Sequence, residues 1–262
     1  ALRDILGIPY RGGEMLQPWY QVKYKGGNTR LLDTISLEYD IEITEIPEDL
    51  RLAVEDLTHI RQVLVNGREL SLNSRGKWID ICFDELEVPA QALTKGRNTV
   101  TILMDYYGTC GIEAVYLLGN FGVEIPGGNR AVLTALPDRL AIGDITGQGL
   151  PFYSGSIIYE MEDMQESSRI SVKAEGYGGA LVKIHGDTQN TIAFPPYQAD
   201  VRNLRSIEVV LTRRNTFGPL HQCPKEAPSY GPGNFMTTGR EWSDAYMLYP
   251  QGLLEKPEVR RG

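Results

Sequence analysis

The sequence is poor in cysteine, in histidine and in long apolar runs. Its three cysteines, Cys82, Cys110 and Cys223, lie far apart and form no C-x-x-C pair, which argues against a disulfide framework and a zinc ribbon. This cysteine usage slightly favours a reducing, cytoplasmic setting over secretion, and the localisation stays open. No stretch approaches the roughly 18 apolar residues of a membrane-spanning helix, and the first residues carry no segment typical of a secretion signal.

Positive charge is also in short supply. The chain has 26 Lys and Arg against 34 Asp and Glu, which gives a net charge of −8. Nucleic acids and anionic membranes attract basic surfaces, so neither is expected as a partner. A chain of this charge is compatible with neutral ligands such as sugars.

Motifs that mark a catalytic or metal site are absent from the sequence as well. His59, His185 and His221 form no H-x-H or H-E-x-x-H pattern, so no metal and no cofactor are expected. A structural calcium stays open, although no acidic calcium loop supports it. Ser154-Gly155-Ser156 does not fit a nucleophile elbow. The acidic residues include no pair marked as the two carboxylates of a glycosidase, so no catalytic residue is predicted.

What the sequence does have is alternation of apolar and polar residues with a period of two. Residues 35–43 alternate in this way and predict a half-buried strand. A second alternating run, Trp78 to Phe83, also predicts a strand and places Cys82 in the core. Pro89 to Leu93 predicts one helical turn. The remaining predicted strands cover residues 50–54, 62–65, 99–104, 112–123, 152–161, 169–174, 180–184, 190–194, 206–211 and 246–249.

The order of strands and turns occurs twice along the chain. Gly149–Glu160 opens the second copy with Gly and Pro followed by an aromatic strand. His185-Gly186 then stands where the first copy has Asn66-Gly67, a preferred hairpin turn. The strand at residues 206–211 likewise corresponds to the strand at 99–104. The chain therefore contains an internal duplication.

Many short strands at this spacing predict an all-β protein with two tandem jelly-roll or β-sandwich domains. We expect an N-terminal extension over residues 1–30, packed on the first sandwich or on a domain outside this chain. The first sandwich is expected over residues 31–127 and the second over residues 128–262. Tyr153, at the start of the second copy, is expected between them.

Three pieces of the first half carry a family resemblance. They are Leu52–Asp56, the hydrophobic-x-Val-Asn-Gly hairpin at Val63–Gly67 and the Gly-x-Asn strand at Gly96–Ile102. In this order they resemble the galactose-binding-like β-sandwich modules of glycoside hydrolases, typified by the family 2 sugar-binding domain and the accessory domains of rhamnosidase-like enzymes. The second half resembles the same module with departures, since Val182–Gly186 has His-Gly for Asn-Gly and Leu204–Ile207 lacks the Gly-x-Asn turn.

The resemblance implies a non-catalytic accessory region, scaffolding and carbohydrate-binding, of a large bacterial glycoside hydrolase. Its implied partners are carbohydrate and a catalytic domain that lies outside this chain. Two alternatives stay open: a free-standing, lectin-like carbohydrate-binding protein, or a complete glycosidase with its site between the sandwiches. Whether the chain is itself an enzyme stays open too.

Aromatic side chains are the most promising binding groups, because the C–H faces of sugars stack on aromatic rings. Core or interdomain packing is nevertheless the commoner role of each of these residues. The segment Arg213–His221 combines charge, amide, ring and imidazole, and is either a recognition loop, a contact to a catalytic domain or an ordered structural loop. Tyr153, Tyr197 and Tyr230 are further aromatic candidates. The predicted carbohydrate-binding residues are Trp78, Tyr106, Tyr107, Tyr177, Arg214, Asn215, His221 and Trp242.

Overall fold

The structure is a computed structural model that describes residues 23, 24, 26, 29–107, 110, 112, 114–231, 234, 235 and 238–261, with the main chain alone at 162–168, 174 and 261. The predicted N-terminal extension lies almost entirely outside these residues. The described chain consists of strands, short turns and loops, so the predicted all-β class is confirmed. No helix within it is long and apolar enough to cross a membrane.

Contacts divide the chain into two compact units, each with its own apolar core. A separate core is the property of a domain that folds by itself. The first unit holds the described residues up to Pro126, Arg130–Leu136 and Gly231. The second unit holds Gly127–Asn129, Pro137–Tyr230 and the described residues from Asn234 onwards.

The first unit contains two sheets. The strands are β1 (Leu31–Ile43), β2 (Arg51–Glu55), β3 (Ile60–Val65), β4 (Arg68–Glu69), β5 (Phe83–Glu87), β6 (Gly96–Tyr107), β7 (Val115–Leu118), β8 (Gly122–Glu124) and β9 (Val132–Thr134). Six strands pair in the order β4-β3-β6-β1-β9-β8, and three pair in the order β5-β2-β7. Short 3-10 turns lie at Leu57–His59 and Ala90–Ala92, the latter within the predicted helical turn.

The two sheets of the first unit share one core, which makes this unit a β-sandwich. Along β6 every second side chain from Asn98 to Tyr106 is buried, as the period of a half-buried strand requires. The side chains that meet in this core include Val63, Val65, Val100 and Ile102 from the larger sheet and Leu52, Val54 and Leu86 from the smaller one.

The Asn-Gly hairpin and the Gly-x-Asn strand are two ends of one hydrogen-bond network. The Asn66 side-chain amide donates to the Asn98 Oδ1 (2.8 Å) and to the Ala92 carbonyl (2.8 Å). In return, the Thr99 backbone N–H donates to the Asn66 Oδ1 at 3.0 Å. Asn66 and Gly67 both have positive φ, 51° and 77°, as a tight hairpin turn needs. The network fixes the β3–β4 hairpin to the centre of the sheet.

The second unit contains a five-stranded sheet in the order β13-β12-β14-β10-β16 and a two-stranded sheet of β11 and β15. The predicted duplication of strand order is confirmed for four strands, because β13-β12-β14-β10 repeats β4-β3-β6-β1. These strands are β10 (Ser156–Ser171), β11 (Tyr177–Gly178), β12 (Leu181–His185), β13 (Gln189–Ile192), β14 (Gln198–Val210), β15 (Gly252–Leu253) and β16 (Glu258–Arg261). One short helix, α1 (Arg214–Phe217), follows β14.

Loops supply most of the second layer in the second unit. The segment 140–150, which includes a 3-10 turn at Ile145–Gln148, pairs with β15 through hydrogen bonds from Gly143 N to Leu253 O (2.8 Å) and from Ile145 N to Gln251 O (3.0 Å). Ile145 and Leu253 thereby pack in one core with residues of the five-stranded sheet. The core residues from that sheet include Ile170, Val182, Ile184, Leu204, Ile207 and Val209.

The predicted strand from Trp78 to Phe83 is wrong, and so is the core position of Cys82. The chain reverses here, with the Asp80 carboxylate accepting from the Cys82 backbone N–H at 3.0 Å. Cys82 is exposed, as is Ile81, and the strand begins only at Phe83. This alternating stretch forms a loop tip. A loop has no buried and exposed sheet faces, so the alternation in its sequence does not produce alternating burial.

Further strand predictions need correction. The two strands predicted at 152–161 and 169–174 are parts of one strand, β10, which is defined above as Ser156–Ser171. The predicted strand at 112–123 is two strands, β7 and β8, because the chain bends at Gly119, whose φ is 154°. The predicted strand at 246–249 is a loop. Its backbone groups bond to separate partners, Tyr246 N to Gly128 O and Met247 N to Leu220 O, in place of one neighbouring strand.

Candidate functional site

The predicted binding residues of the first unit pack against neighbouring rings or are buried. Trp78 contacts Phe83 edge-on, with ring centroids 5.7 Å apart, and Tyr116 at 5.1 Å. Tyr107 tilts against His59 at 4.6 Å. Tyr106 is only 1% exposed, so its ring faces are covered by the protein itself. Alternation along β6 points this side chain into the sandwich.

Two predicted binding residues of the second unit, Tyr177 and Asn215, also contribute to packing or to loop structure. Tyr177 is half-buried against the core, and burial raises the pKa of its hydroxyl. Asn215 is fully buried and pairs with the backbone of Tyr249, donating from Nδ2 to the carbonyl (2.8 Å) and accepting from the N–H (2.9 Å). Because its amide is used in this way, Asn215 holds the loop in place and is not open to a sugar.

The remaining predicted residues lie in loops that follow β14. We call residues 213–230 and 239–250 the C-terminal loop cluster. Its two segments are joined by backbone hydrogen bonds from Ser243 N to His221 O (2.7 Å) and from Cys223 N to Glu241 O (2.8 Å). These bonds give an irregular segment a fixed shape, which is what a binding site built from loops requires.

Arg214, which begins α1, packs against two tyrosine rings. Its guanidinium carbon lies 4.8 Å from the ring centroid of Tyr230 and 5.2 Å from that of Tyr249. The Lys225 ammonium lies 4.9 Å from the same Tyr249 ring and donates to the Leu248 carbonyl at 3.2 Å. Two cations thus share one tyrosine, an arrangement that cation–π attraction supports.

The hydroxyls of these tyrosines form a small polar cluster. The two hydroxyl oxygens lie 3.0 Å apart and share a hydrogen bond, and each lies 2.8 Å from the Lys225 carbonyl oxygen. Burial, together with the hydrogen bond to Tyr230, raises the pKa of Tyr249 to about 12. The same hydrogen bond, helped by Arg214, lowers the pKa of Tyr230. Tyr230 is 45% exposed, so its ring is accessible to a ligand.

The guanidinium of Arg214 makes no hydrogen bond of regular geometry. Its Nε, Nη1 and Nη2 atoms are shielded from solvent, and the guanidinium lies close enough to the Tyr230 hydroxyl to lower its pKa. Buried donors normally find partners, so this group is an exception in need of a physical explanation.

His221 and Trp242 are brought together in the same loop cluster. Their rings stack with centroids 6.0 Å apart and planes inclined by 27°, and Tyr246 lies 5.0 Å from the imidazole. The Ser243 carbonyl lies 2.9 Å from His221 Nδ1, which fixes the ring. The structure therefore brings His221 and Trp242 into contact, while Arg214 packs against Tyr230 and Tyr249.

Sequence reasoning missed Lys225 and Tyr249, which complete the site around Arg214. Lys225 and Tyr249 lie 11 and 35 residues after Arg214 in irregular segments. Arg214 and Lys225 both contact Tyr249, and no hydrophobic period marks contacts between such segments. Tyr230 was a further aromatic candidate, and its loop is rich in Pro and Gly. No sequence signal would have paired these side chains.

A second polar cluster lies on the face of the five-stranded sheet opposite the core residues Ile207 and Val209. Glu208 on β14 accepts from Lys183 Nζ at 3.0 Å and lies 2.8 Å from His185 Nε2. A hydrogen bond from Ser156, together with these two partners, lowers the pKa of Glu208 to about 2. A carboxylate held ionised in this way does not act as a proton donor near neutral pH.

The other carboxyl groups with a displaced pKa show the same direction. A general acid of a glycosidase needs a raised pKa, whereas hydrogen bonds and nearby cations lower these pKa values. Within the described residues no group of three or more His, Cys, Asp or Glu side chains forms a metal site. The described carboxyl groups with lowered pKa are Asp40, Asp56, Asp80, Asp84, Asp105, Asp200 and Glu208.

Fold and site together define an all-β protein with loop-borne aromatic and cationic side chains. No protein-family model matches the chain, and no curated protein sequence matches it. Among solved structures, that of an α-L-rhamnosidase from Dictyoglumus thermophilum is similar with a TM-score of 0.25 and 10% sequence identity, over 73% of this chain and 32% of that chain. The chain thus spans about a third of that enzyme's length. At this TM-score and identity, the similarity assigns neither a fold family nor an activity.

Proposed function

We propose that this chain is a non-catalytic accessory region of a glycoside hydrolase, of galactose-binding-like type, and that it binds carbohydrate through the C-terminal loop cluster. The order of the sequence motifs supports the family. The network between Asn66 and Asn98 gives two of these motifs a common structural purpose. The repeated four-strand arrangement supports a second module of the same origin.

The observation that carries the binding function is the accessible ring of Tyr230 beside fixed polar groups. An exposed tyrosine ring offers a face for sugar C–H groups and a hydroxyl for hydrogen bonding. Arg214 and the stacked pair of His221 and Trp242 lie in the same loop cluster and supply further donors and ring surface. A few convergent polar groups beside an apolar surface are typical of small-molecule sites.

The ionised state of the described carboxyl groups favours a binding function over a catalytic one. Glycoside hydrolysis needs one carboxylic acid that keeps its proton and a second carboxylate across the bond. Glu208 and the other described carboxyl groups with displaced pKa values are held ionised by their partners. They suit structural ion pairs better than acid catalysis.

A carbohydrate panel followed by calorimetry tests this function. The whole chain is screened against immobilised glycans, and the affinity of the best ligand is then measured for the wild type, Tyr230→Ala and Tyr153→Ala. We expect Tyr230→Ala to lose about tenfold or more in affinity, the scale of one lost ring contact. Tyr153 is the matched control, because it is 42% exposed and lies outside the loop cluster.

Two outcomes would overturn the proposal. Either no glycan binds the wild type at millimolar concentration, or Tyr153→Ala weakens binding as much as Tyr230→Ala. Far-UV circular dichroism and the melting temperature of each variant show that the fold is unchanged.

A further inference from the structure

The unsatisfied guanidinium of Arg214 is an unusual feature of the second unit. Arginine carries five N–H donors and keeps its charge at any ordinary pH. In Arg214 all three nitrogens are shielded and make no hydrogen bond of regular geometry; two tyrosine rings lie against the group, and the Tyr230 hydroxyl is the polar neighbour whose pKa it lowers. Leaving a buried charged donor unsatisfied is strongly unfavourable. Cation–π contacts offset only part of that cost.

The neighbouring cation, Lys225, also has no carboxylate partner. Its ammonium donates to a carbonyl and lies over the Tyr249 ring. Neither Arg214 nor Lys225 ion-pairs with a carboxylate of the described chain, in contrast to most of its other cations. The ion-paired cations are Arg51, Arg61, Arg75, Lys77, Lys95, Arg97, Arg130, Arg169, Lys173, Lys183 and Arg260.

The acidic chain therefore leaves two cations over the Tyr249 ring without a carboxylate partner. Glu226 is close enough to raise the pKa of Tyr249, but it pairs with neither cation. In a protein of net charge −8, two such cations favour an anion against the overall field. The missing acceptor is thus best supplied by a ligand.

We propose that Arg214 and Lys225 form a binding site for the carboxylate of an acidic sugar, a uronic acid residue. This inference rests on the proposed function and names its ligand class. The guanidinium fork matches a carboxylate with two parallel hydrogen bonds, and the ammonium adds a point charge. The carboxylate supplies the acceptors that Arg214 lacks.

Tyr230 is the group that must move to admit the ligand. Its ring covers Arg214, yet it is 45% exposed, and its hydroxyl contacts are to Tyr249, the Lys225 carbonyl and the Ala227 N–H. A shift of this ring opens the guanidinium. The displaced ring remains beside the pocket, where it stacks on the sugar whose carboxylate reaches Arg214. One residue thus closes the empty site and contacts the bound ligand.

Calorimetry with matched oligosaccharides tests the proposal. The whole chain is titrated with oligogalacturonate, with the neutral galactose oligomer of the same length and linkage, and with a sulfated galactose oligomer. We expect the uronate to bind about tenfold or more tighter than the neutral sugar, with an affinity that falls as salt is added. Arg214→Gln should abolish this preference, so that the variant binds the uronate and the neutral sugar with affinities within about twofold of each other.

Three further variants separate a charge effect from a folding effect. Arg214→Lys keeps the charge without the fork, and we expect it to recover only part of the preference. Lys225→Gln should reduce the uronate affinity about threefold, and Glu226→Gln should raise it by a similar factor. Because Lys225 and Glu226 lie in the loop, these two variants test the site even if Arg214→Gln unfolds.

The outcomes distinguish this inference from the proposed function. Equal affinity for uronate and neutral sugar, or an unchanged preference in Arg214→Gln, overturns the carboxylate site and leaves carbohydrate binding intact. Tighter binding of the sulfated sugar than of the uronate also overturns it, in favour of a sulfate site. Binding of no sugar at all overturns both.

Discussion

The two units are built on the same four strands but complete their cores differently. In the first unit the second layer is a three-stranded sheet, and in the second it is a two-stranded sheet with long loops. A sheet fixes its backbone through regular hydrogen bonds and leaves little freedom for insertions. Loops are free to carry aromatic and charged side chains in irregular positions, and this is where binding residues concentrate. The candidate site lies in the unit whose layer is made of loops.

The same comparison applies at the hairpin turn. Val65 pairs with Val100 in the first unit and Ile184 pairs with Ile207 in the second, so His185 takes the position of Asn66. The first unit ties its hairpin with neutral amides. The second unit bonds His185 to the buried carboxylate of Glu208. The duplicated scaffold therefore retains its geometry while the polar groups that fix it have changed from uncharged to ionic.

The largest expected effect tests whether the loops of the second unit act as a structural layer. Ile145 is fully buried in the segment 140–150, so Ile145→Ala should lower the free energy of unfolding of this unit by about 3 kcal/mol. Ile142 lies three residues away in the same segment but is 47% exposed, and Ile142→Ala should cost less than about 0.5 kcal/mol. Urea unfolding gives both values, and hydrogen exchange of peptides from β12 to β14 assigns them to the second unit.

Equal costs for the two substitutions would contradict the assignment of this segment to the core layer. A large loss of protection in peptides from β3 and β6 would contradict it as well, because those strands belong to the other unit. The wild-type exchange pattern serves as the reference for each peptide.

The ion pair and hydrogen bonds of Glu208 should make the stability of the second unit depend on pH. The amide network of Asn66 and Asn98 should give the first unit no such dependence. Because the pKa of Glu208 is lowered from 4.5 to about 2 in the folded state, its stabilisation is present above about pH 4.5 and is lost as the pH falls towards 2. Glu208→Gln should cost about 1–2 kcal/mol at pH 7, after allowance for solvent screening. Urea midpoints measure this effect: the difference in stability between Glu208→Gln and the wild type should shrink steadily from about pH 5 to about pH 3.

Glu160→Gln is the matched control for this titration. Glu160 is an exposed carboxylate on β10, a strand that pairs with β14 beside Glu208. A pH-independent difference between Glu208→Gln and wild type would refute the ionic contribution, as would an equal effect of Glu160→Gln.

The sequence predicts the regular part of each unit well. Alternation in β1, β6 and β14 reflects one buried and one open face, which the strand period converts directly into a pattern. Arg214, His221 and Trp242 were predicted because their residue types are suited to binding. Their partners Lys225 and Tyr249 were not, because contacts between two loops depend on the path of each chain and leave no periodic trace.

The loop tip at Trp78–Phe83 shows where alternation is misleading, and it gives the smallest expected effect. Unlike the buried residues in the loops of the second unit, Ile81 and Cys82 at this tip add nothing to a core, because Ile81 is 83% exposed and Cys82 is exposed. Ile81→Ser and Cys82→Ser should each change the free energy of unfolding by less than about 0.5 kcal/mol. Leu86→Ala, in the strand that follows, is the positive control at about 3 kcal/mol because Leu86 is fully buried. A cost for Ile81→Ser above about 1.5 kcal/mol, the range of a buried apolar side chain, would mean that loops form part of the core in the first unit as they do in the second.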